Sequence, residues 1–89
     1  MKTIWKFELS ITDIQTISMP RDARILSVQT QFGKPCIWAI VSDDEIKRDR
    51  TFIIHGTGHP CSCKKEDFIG TFLIENRALV FHLFERLEN

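Results

Sequence analysis

The segment HGTGHPCSC, residues 55–63, concentrates the side chains of this sequence that are best suited to chemistry. Histidine and cysteine are the commonest ligands of zinc. Glycines adopt positive φ readily, and successive backbone N–H groups in such a loop can bind an anion. The segment therefore has three interpretations: a metal site, an anion-binding loop, or a turn between strands.

A metal site would draw its ligands from His55, His59, Cys61 and Cys63. The resulting pattern, H-x3-H-x-C-x-C, differs from closed zinc sites, in which two ligand pairs are separated by a longer segment. Ligands two residues apart also strain a tetrahedral site, and Pro60 stiffens the middle of the segment. The pattern disfavours a bound metal, although the residue types keep this interpretation open.

An anion-binding loop would be formed by Gly56, Thr57, Gly58 and His59. Their backbone N–H groups, the threonine hydroxyl and the imidazole supply hydrogen-bond donors. Two basic residues, Arg50 before the loop and Lys64 after it, would add local positive charge. These six residues are the predicted ligand-binding site. The alternative is that both glycines only reverse the chain at the end of a strand.

Catalysis is not expected. A nucleophilic pair of Cys61 or Cys63 with His59 can be drawn, but nothing nearby supplies the third group that would orient the imidazole. The sequence therefore predicts no enzymatic activity, no catalytic residues and no cofactor.

The composition describes one small globular domain spanning residues 1–89, with 43% hydrophobic and 27% charged residues. Twelve basic residues balance twelve acidic ones. Proteins that bind duplex nucleic acid usually carry an excess of Lys and Arg, so we expect no general binding to duplex DNA. We find neither a membrane-spanning apolar run nor a signal peptide, and we expect a cytoplasmic protein. In that compartment the three cysteines would be thiols or metal ligands rather than disulfides.

The dominant hydrophobic period is two, which predicts strands. Seven short runs are predicted strands: TIWKFEL, QTISMP, ARILSVQTQF, CIWAIV, TFIIH, FIGTFLI and ALVFHLFE. CIWAIV does not alternate but is apolar on both faces, as expected of a central strand. The short connections at 33–35 and around Asn76 predict two hairpins. The charged run SDDEIKRDR, residues 42–50, is interpreted as a solvated loop. The predicted fold is all-β and mainly antiparallel, a small barrel or sandwich of about seven strands with little or no helix.

With these motifs in hand, the sequence resembles a family of small uncharacterised bacteriophage and prophage proteins. The resemblance covers nearly the whole chain. It rests on the TIWKFEL opening, an F-x-I-x-GTGH element at 52–59, FIGTF at 68–72 and ALVFHLFE at 78–85. The family pattern does not place Cys61 and Cys63, which further disfavours a metal. The resemblance implies a β-rich fold and a phage origin, and it assigns no activity.

Phage origin suggests a role in countering host defence. The leading hypothesis is a protein that sequesters a nucleotide signal through the loop at 56–59. The alternative is an inhibitor that binds a host defence protein directly, in the manner of an anti-CRISPR protein, through the acidic residues 43–45 or an exposed strand edge. We also expect a homo-oligomer formed by pairing of strand edges. No membrane partner is expected.

Overall fold

The computed structural model describes residues 1–61 and 65–87, and all of their regular secondary structure is β-strand. The seven strands are β1 (Lys2–Glu8), β2 (Ile14–Pro20), β3 (Arg24–Gln31), β4 (Lys34–Ser42), β5 (Lys47–Gly56), β6 (Glu66–Ile74) and β7 (Leu79–Arg86). The predicted all-β class is thus confirmed. No helix in this described part is long and apolar enough to cross a membrane.

The strands form two antiparallel sheets that pack as an open sandwich rather than a closed barrel. One sheet has three strands in the order β1-β4-β3, and the other has four in the order β2-β5-β7-β6. The largest buried side chains come from both sheets. Phe52, Phe72, Met19 and Leu83 belong to the four-stranded sheet, and Ile37 and Val41 belong to the three-stranded sheet. The period of two in the sequence therefore separates residues that face between the sheets from residues that face outward.

Strands β3 and β6 connect the two sheets. The Thr30 hydroxyl donates a 2.6 Å hydrogen bond to the Leu73 carbonyl. Gly70 lies against Val28, so closely that a Cβ built on Gly70 would be 2.8 Å from the Val28 Cγ1. Each strand also carries a bulge next to this contact, between Ile25 and Ser27 in β3 and between Phe68 and Gly70 in β6. Such bulges bend a strand and increase its local twist.

Both predicted hairpins are present. The β3–β4 connection is a two-residue turn in which Phe32 and Gly33 have φ of 52° and 78°. Positive φ at both central residues is the type I′ geometry that matches the twist of a hairpin. The β6–β7 connection spans residues 75–78 and is closed by a 3.0 Å hydrogen bond from the Ala78 N–H to the Glu75 carbonyl.

The prediction of a loop over residues 42–50 is wrong for half of that segment. Ser42 ends β4, and β5 already begins at Lys47, so Lys47–Arg50 is strand paired with β2. Lys47, Arg48 and Asp49 are exposed, whereas the half-buried Arg50 forms a two-point ion pair with Glu85 of β7, with N···O distances of 2.6 and 2.8 Å. This hydrogen-bonded carboxylate raises the pKa of Arg50 above its ordinary value.

Asp22 anchors the turn between β2 and β3 to the end of β4. The Ser42 hydroxyl and the Ser42 N–H both donate to the Asp22 carboxylate, and these hydrogen bonds lower the pKa of Asp22. We expect an NMR titration to find its midpoint below that of an aspartate in an unfolded peptide, and Ser42→Ala to raise it. The stabilising contribution is present above the unfolded-state pKa and is lost as pH falls through the folded-state pKa. An unchanged midpoint in Ser42→Ala would contradict this assignment.

Candidate functional site

The GTGH segment forms a tight turn at the end of β5. The His59 N–H donates to the Gly56 carbonyl at 3.0 Å, and Gly58 has a φ of 84°. A positive φ at the third residue is the type II geometry, which favours glycine at that position. The Thr57 N–H donates to the Val80 carbonyl of β7 at 3.3 Å. Two of the N–H groups expected to bind an anion, those of Thr57 and His59, are therefore engaged within the protein.

Gly56 is required by the position of the His59 ring. A Cβ built on Gly56 would lie 2.7 Å from His59 Nδ1 and 2.9 Å from Cε1. The ring thus packs directly on the backbone at the end of β5, while His59 as a whole stays exposed. Any side chain larger than hydrogen at position 56 would displace the imidazole.

His82 of β7 lies between two threonines. Its Nε2 is 2.8 Å from the Thr57 hydroxyl and its Nδ1 is 2.9 Å from the Thr71 hydroxyl. His82 is therefore half-buried, with a hydroxyl within hydrogen-bond distance of each ring nitrogen. The hydroxyl–imidazole–hydroxyl chain fixes the ring and ties the GTGH turn to β6. A neutral hydroxyl as the third member stabilises an imidazolium far less than a carboxylate does, so this arrangement is weak as a nucleophilic triad.

His55, the cross-strand neighbour of His82, is held by a carboxylate. Its Nε2 is 3.0 Å from Glu66 Oε1, and the Glu66 side chain is only 4% exposed. The His55 ring also packs edge-on against Phe84, with 5.2 Å between centroids, and Phe84 packs similarly against Phe68 at 5.4 Å. The outer face of the four-stranded sheet therefore presents adjoining imidazole and phenyl rings.

These residues surround a shallow cavity of about 270 Å³. It is lined by the GTGH turn together with His55, Cys61, Phe68, His82 and Phe84. Its walls combine aromatic rings with the imidazoles and the Thr57 hydroxyl. We call this the histidine pocket. Its composition suits a small planar ligand that carries polar groups at one end.

Arg50 does not belong to the histidine pocket. It lies six residues before Gly56 on the same strand, roughly 20 Å away at the rise of a β-strand. It lines a separate cavity of about 330 Å³, together with Arg21, Arg48, Arg86 and Glu85. The structure thus separates the predicted site into a loop and an arginine cavity.

Three further residues, Cys61, Cys63 and Lys64, were considered as metal or anion ligands. Cys63 and Lys64 lie outside the described residues. Cys61 is disulfide-bonded, which differs from the expected thiol, and a sulfur in that state is not a thiolate ligand. Cys36 of β4 is a free, buried thiol. Among residues 1–61 and 65–87 no group of three or more His, Cys, Asp or Glu side chains could hold a metal ion.

Sequence reasoning missed three of the residues that line the pocket, Phe68, His82 and Phe84, and the two residues that hold its histidines, Glu66 and Thr71. Glu66, Phe68, Thr71 and Phe84 come from β6 and β7, and only strand pairing brings them to the turn. One signal was available: His82 and Phe84 alternate on β7, which places both rings on one face.

The described residues define an all-β sandwich with a pocket of histidines and aromatic rings on one outer sheet face. The chain belongs to a family described as a domain of unknown function, DUF7352, whose model matches residues 1–89. No curated protein and no solved structure matches the chain.

Proposed function

We propose that this protein binds a nucleotide-type ligand in the histidine pocket and does not transform it. The observation that carries the proposal is the convergence of three imidazoles, two phenyl rings and the GTGH turn on one cavity. The ligand is of the class that the sequence predicts, a nucleotide. Side chains, rather than the backbone N–H groups expected from the sequence, would recognise its phosphate.

The nucleobase would stack on the phenyl rings. Phe68 is 59% exposed, an unusual state for a large aromatic side chain, and Phe84 supports it from the side. Stacking of a base on an aromatic side chain contributes about 1–3 kcal/mol and tolerates different bases. An exposed ring supported in this way offers such a platform.

The phosphate would lie at the GTGH turn. His59 and Thr57 are both exposed there, and each side chain can donate a hydrogen bond to a phosphate oxygen. Gly58 carries no side chain that would screen the turn. The ligand would thus lie across the outer sheet face, with its base towards β6 and its phosphate beyond the end of β5.

The cavity volume limits the size of the ligand. At about 270 Å³ it falls just below the 300–1,000 Å³ typical of small-molecule sites. We infer that one pocket holds one nucleoside phosphate unit, either a mononucleotide or one half of a cyclic dinucleotide.

The biological role in this proposal is counter-defence in the cytoplasm of a phage-infected host. It is supported by the resemblance to phage proteins and by a pocket lined with imidazole and phenyl rings. A binding protein that removes a nucleotide messenger needs affinity alone, and the pocket supplies contacts without a strongly activated nucleophile.

A second candidate function, direct inhibition of a host defence protein, is favoured by Phe32. This side chain is 96% exposed at the tip of the β3–β4 hairpin and has positive φ, which a bulky residue rarely adopts. Exposed aromatic anchors of this kind dominate many protein interfaces. In this case Phe32→Asn would abolish partner binding and leave the histidine pocket unchanged.

The test is a titration of the full chain with adenine and guanine mononucleotides, cyclic mononucleotides, cyclic dinucleotides and inorganic phosphate. Melting temperature and amide NMR shifts report binding. Saturation at one hundred times Kd stabilises a protein by about 2.7 kcal/mol, which corresponds to a rise in Tm of roughly 10 °C or more for a domain of this size. We expect at least one nucleotide to produce such a rise, with shifts centred on residues 55–59 and Phe68.

Three variants locate the site. His59→Ala removes the imidazole, and Gly56→Ala displaces it without removing it. Both should weaken binding at least tenfold. Arg86→Ala, in the arginine cavity, is the matched control and should bind normally. The proposal fails if no nucleotide binds at millimolar concentration, or if binding is lost in Arg86→Ala and retained in both loop variants.

A further inference from the structure

The structure contains an edge strand suited to pairing with a copy of itself. The described edge strands of the two sheets are β1, β3, β2 and β6. Strands β3 and β6 carry bulges, and β2 ends in Pro20. Bulges and proline are two of the features that prevent edge pairing. β1 contains neither, and its register with β4 is regular from Lys2 to Glu8.

The backbone groups of β1 alternate in direction. The Asp43 N–H donates to the Met1 carbonyl, and the Leu9 N–H donates to the Pro35 carbonyl. Both contacts continue the β1–β4 register, so the odd-numbered residues direct their N–H and C=O groups towards β4. The even-numbered residues, Lys2, Ile4, Lys6 and Glu8, therefore direct theirs away from β4, towards the open edge.

We propose that two copies of this chain pair antiparallel through β1, with a twofold axis at Trp5. This register places Lys2 opposite the partner's Glu8 and Ile4 opposite the partner's Lys6. Every directly opposed hydrogen-bonded pair then consists of even-numbered residues, as the backbone directions require. The edge would gain about eight N–H···O=C hydrogen bonds, since each of four residue pairs exchanges two.

The charged side chains of β1 favour this register over the two registers that are shifted by two residues. A shift of two residues in one direction places Lys2 opposite the partner's Lys6. A shift in the other direction places Lys6 opposite the partner's Lys6. Like charges directly opposed across strands are destabilising, whereas opposite charges stabilise. Of these three registers, only the one centred on Trp5 pairs lysine with glutamate at both ends of the strand, Lys2 with the partner's Glu8 and Glu8 with the partner's Lys2.

The side chains of the other face favour the same arrangement. Trp5 and Phe7 are half-buried, pack against the core and lie 6.4 Å apart between ring centroids. Pairing would place each Trp5 beside the partner's Trp5 at the axis, where cross-strand side chains approach most closely. The product is a continuous six-stranded sheet in the order β3-β4-β1-β1-β4-β3.

The test measures the mass of the full chain by sedimentation equilibrium from micromolar to millimolar concentration. Lys2→Glu and Glu8→Lys each create two like-charge pairs across the axis, and each should raise the dimer Kd roughly tenfold. The double variant Lys2→Glu/Glu8→Lys restores opposite charges and should restore the wild-type Kd. Lys6→Glu is the matched control, because Lys6 faces the partner's Ile4, and its Kd should not rise.

Two outcomes overturn the proposal. The first is a monomer at all concentrations. The second is a dimer whose Kd is unaffected by the single charge reversals or is not restored by the double variant. Ile4→Pro provides a further check, because it removes an N–H that points away from β4. It should give a folded monomer whose circular dichroism spectrum matches that of the diluted wild type.

Discussion

Glu85→Gln is expected to lower the free energy of unfolding by about 2–4 kcal/mol. The change removes the carboxylate charge that Arg50 contacts at 2.6 and 2.8 Å, and both side chains are less than one fifth exposed. An arginine left in such a place without its counter-charge is strongly destabilising, because its desolvation is no longer offset. Arg50 also donates to the Ala23 carbonyl, so the guanidinium cannot leave without breaking a second contact.

Urea unfolding of the full chain measures this loss, with Glu45→Gln as the matched control. Glu45 pairs with Arg21 at 3.2 Å, but Arg21 is 56% exposed. Exposed pairs of this kind contribute about 0–1 kcal/mol. The double variant Arg50→Met/Glu85→Leu should lose much less stability than the sum of Arg50→Met and Glu85→Leu. Equal losses in Glu85→Gln and Glu45→Gln would show that the inner ion pair has no special role.

Gly70→Ala is expected to destabilise the sandwich by about 1–3 kcal/mol. The added methyl group would lie 2.8 Å from the Val28 Cγ1, closer than real Cβ contacts allow. Val28 is only 4% exposed and branches at Cβ, so its side chain has little freedom to move away. Overpacking of this kind forces the two strands apart.

A double-mutant cycle isolates the contact. Val28→Ala alone should destabilise by leaving a cavity, whereas the same change in the Gly70→Ala background should cost clearly less, because it also relieves the clash. Strictly additive effects of the two changes on the free energy of unfolding would contradict the proposed contact between β3 and β6.

The sequence predicted best those elements whose conformation depends on residues that are adjacent in the chain. Alternation along TIWKFEL and ARILSVQTQF predicted strands because one face of each is buried, and short glycine or asparagine turns predicted both hairpins. Residues 47–50 were wrongly predicted as a loop, because their conformation depends on residues that are distant in the chain. Their strand conformation depends on β2 and on Glu85, which is 35 residues away from Arg50.

The candidate site shows the same division. The residues of the GTGH turn were identified from their types, and they do line a cavity. The sequence could not show that the Thr57 N–H is engaged, because its acceptor is the Val80 carbonyl, 23 residues further along the chain. Arg50 was grouped with the loop because it is close in sequence, although an extended strand separates residues that are six positions apart by roughly 20 Å.

The strand order β2-β5-β7-β6 has a consequence for biosynthesis. β7 is the last of the seven strands to be translated, yet it lies between β5 and β6 and separates them. The four-stranded sheet therefore cannot be completed until β7 has been synthesised and is free to pair with both neighbours. Until then β5 and β6 each lack their β7 partner, and unpaired strand edges of this kind favour aggregation.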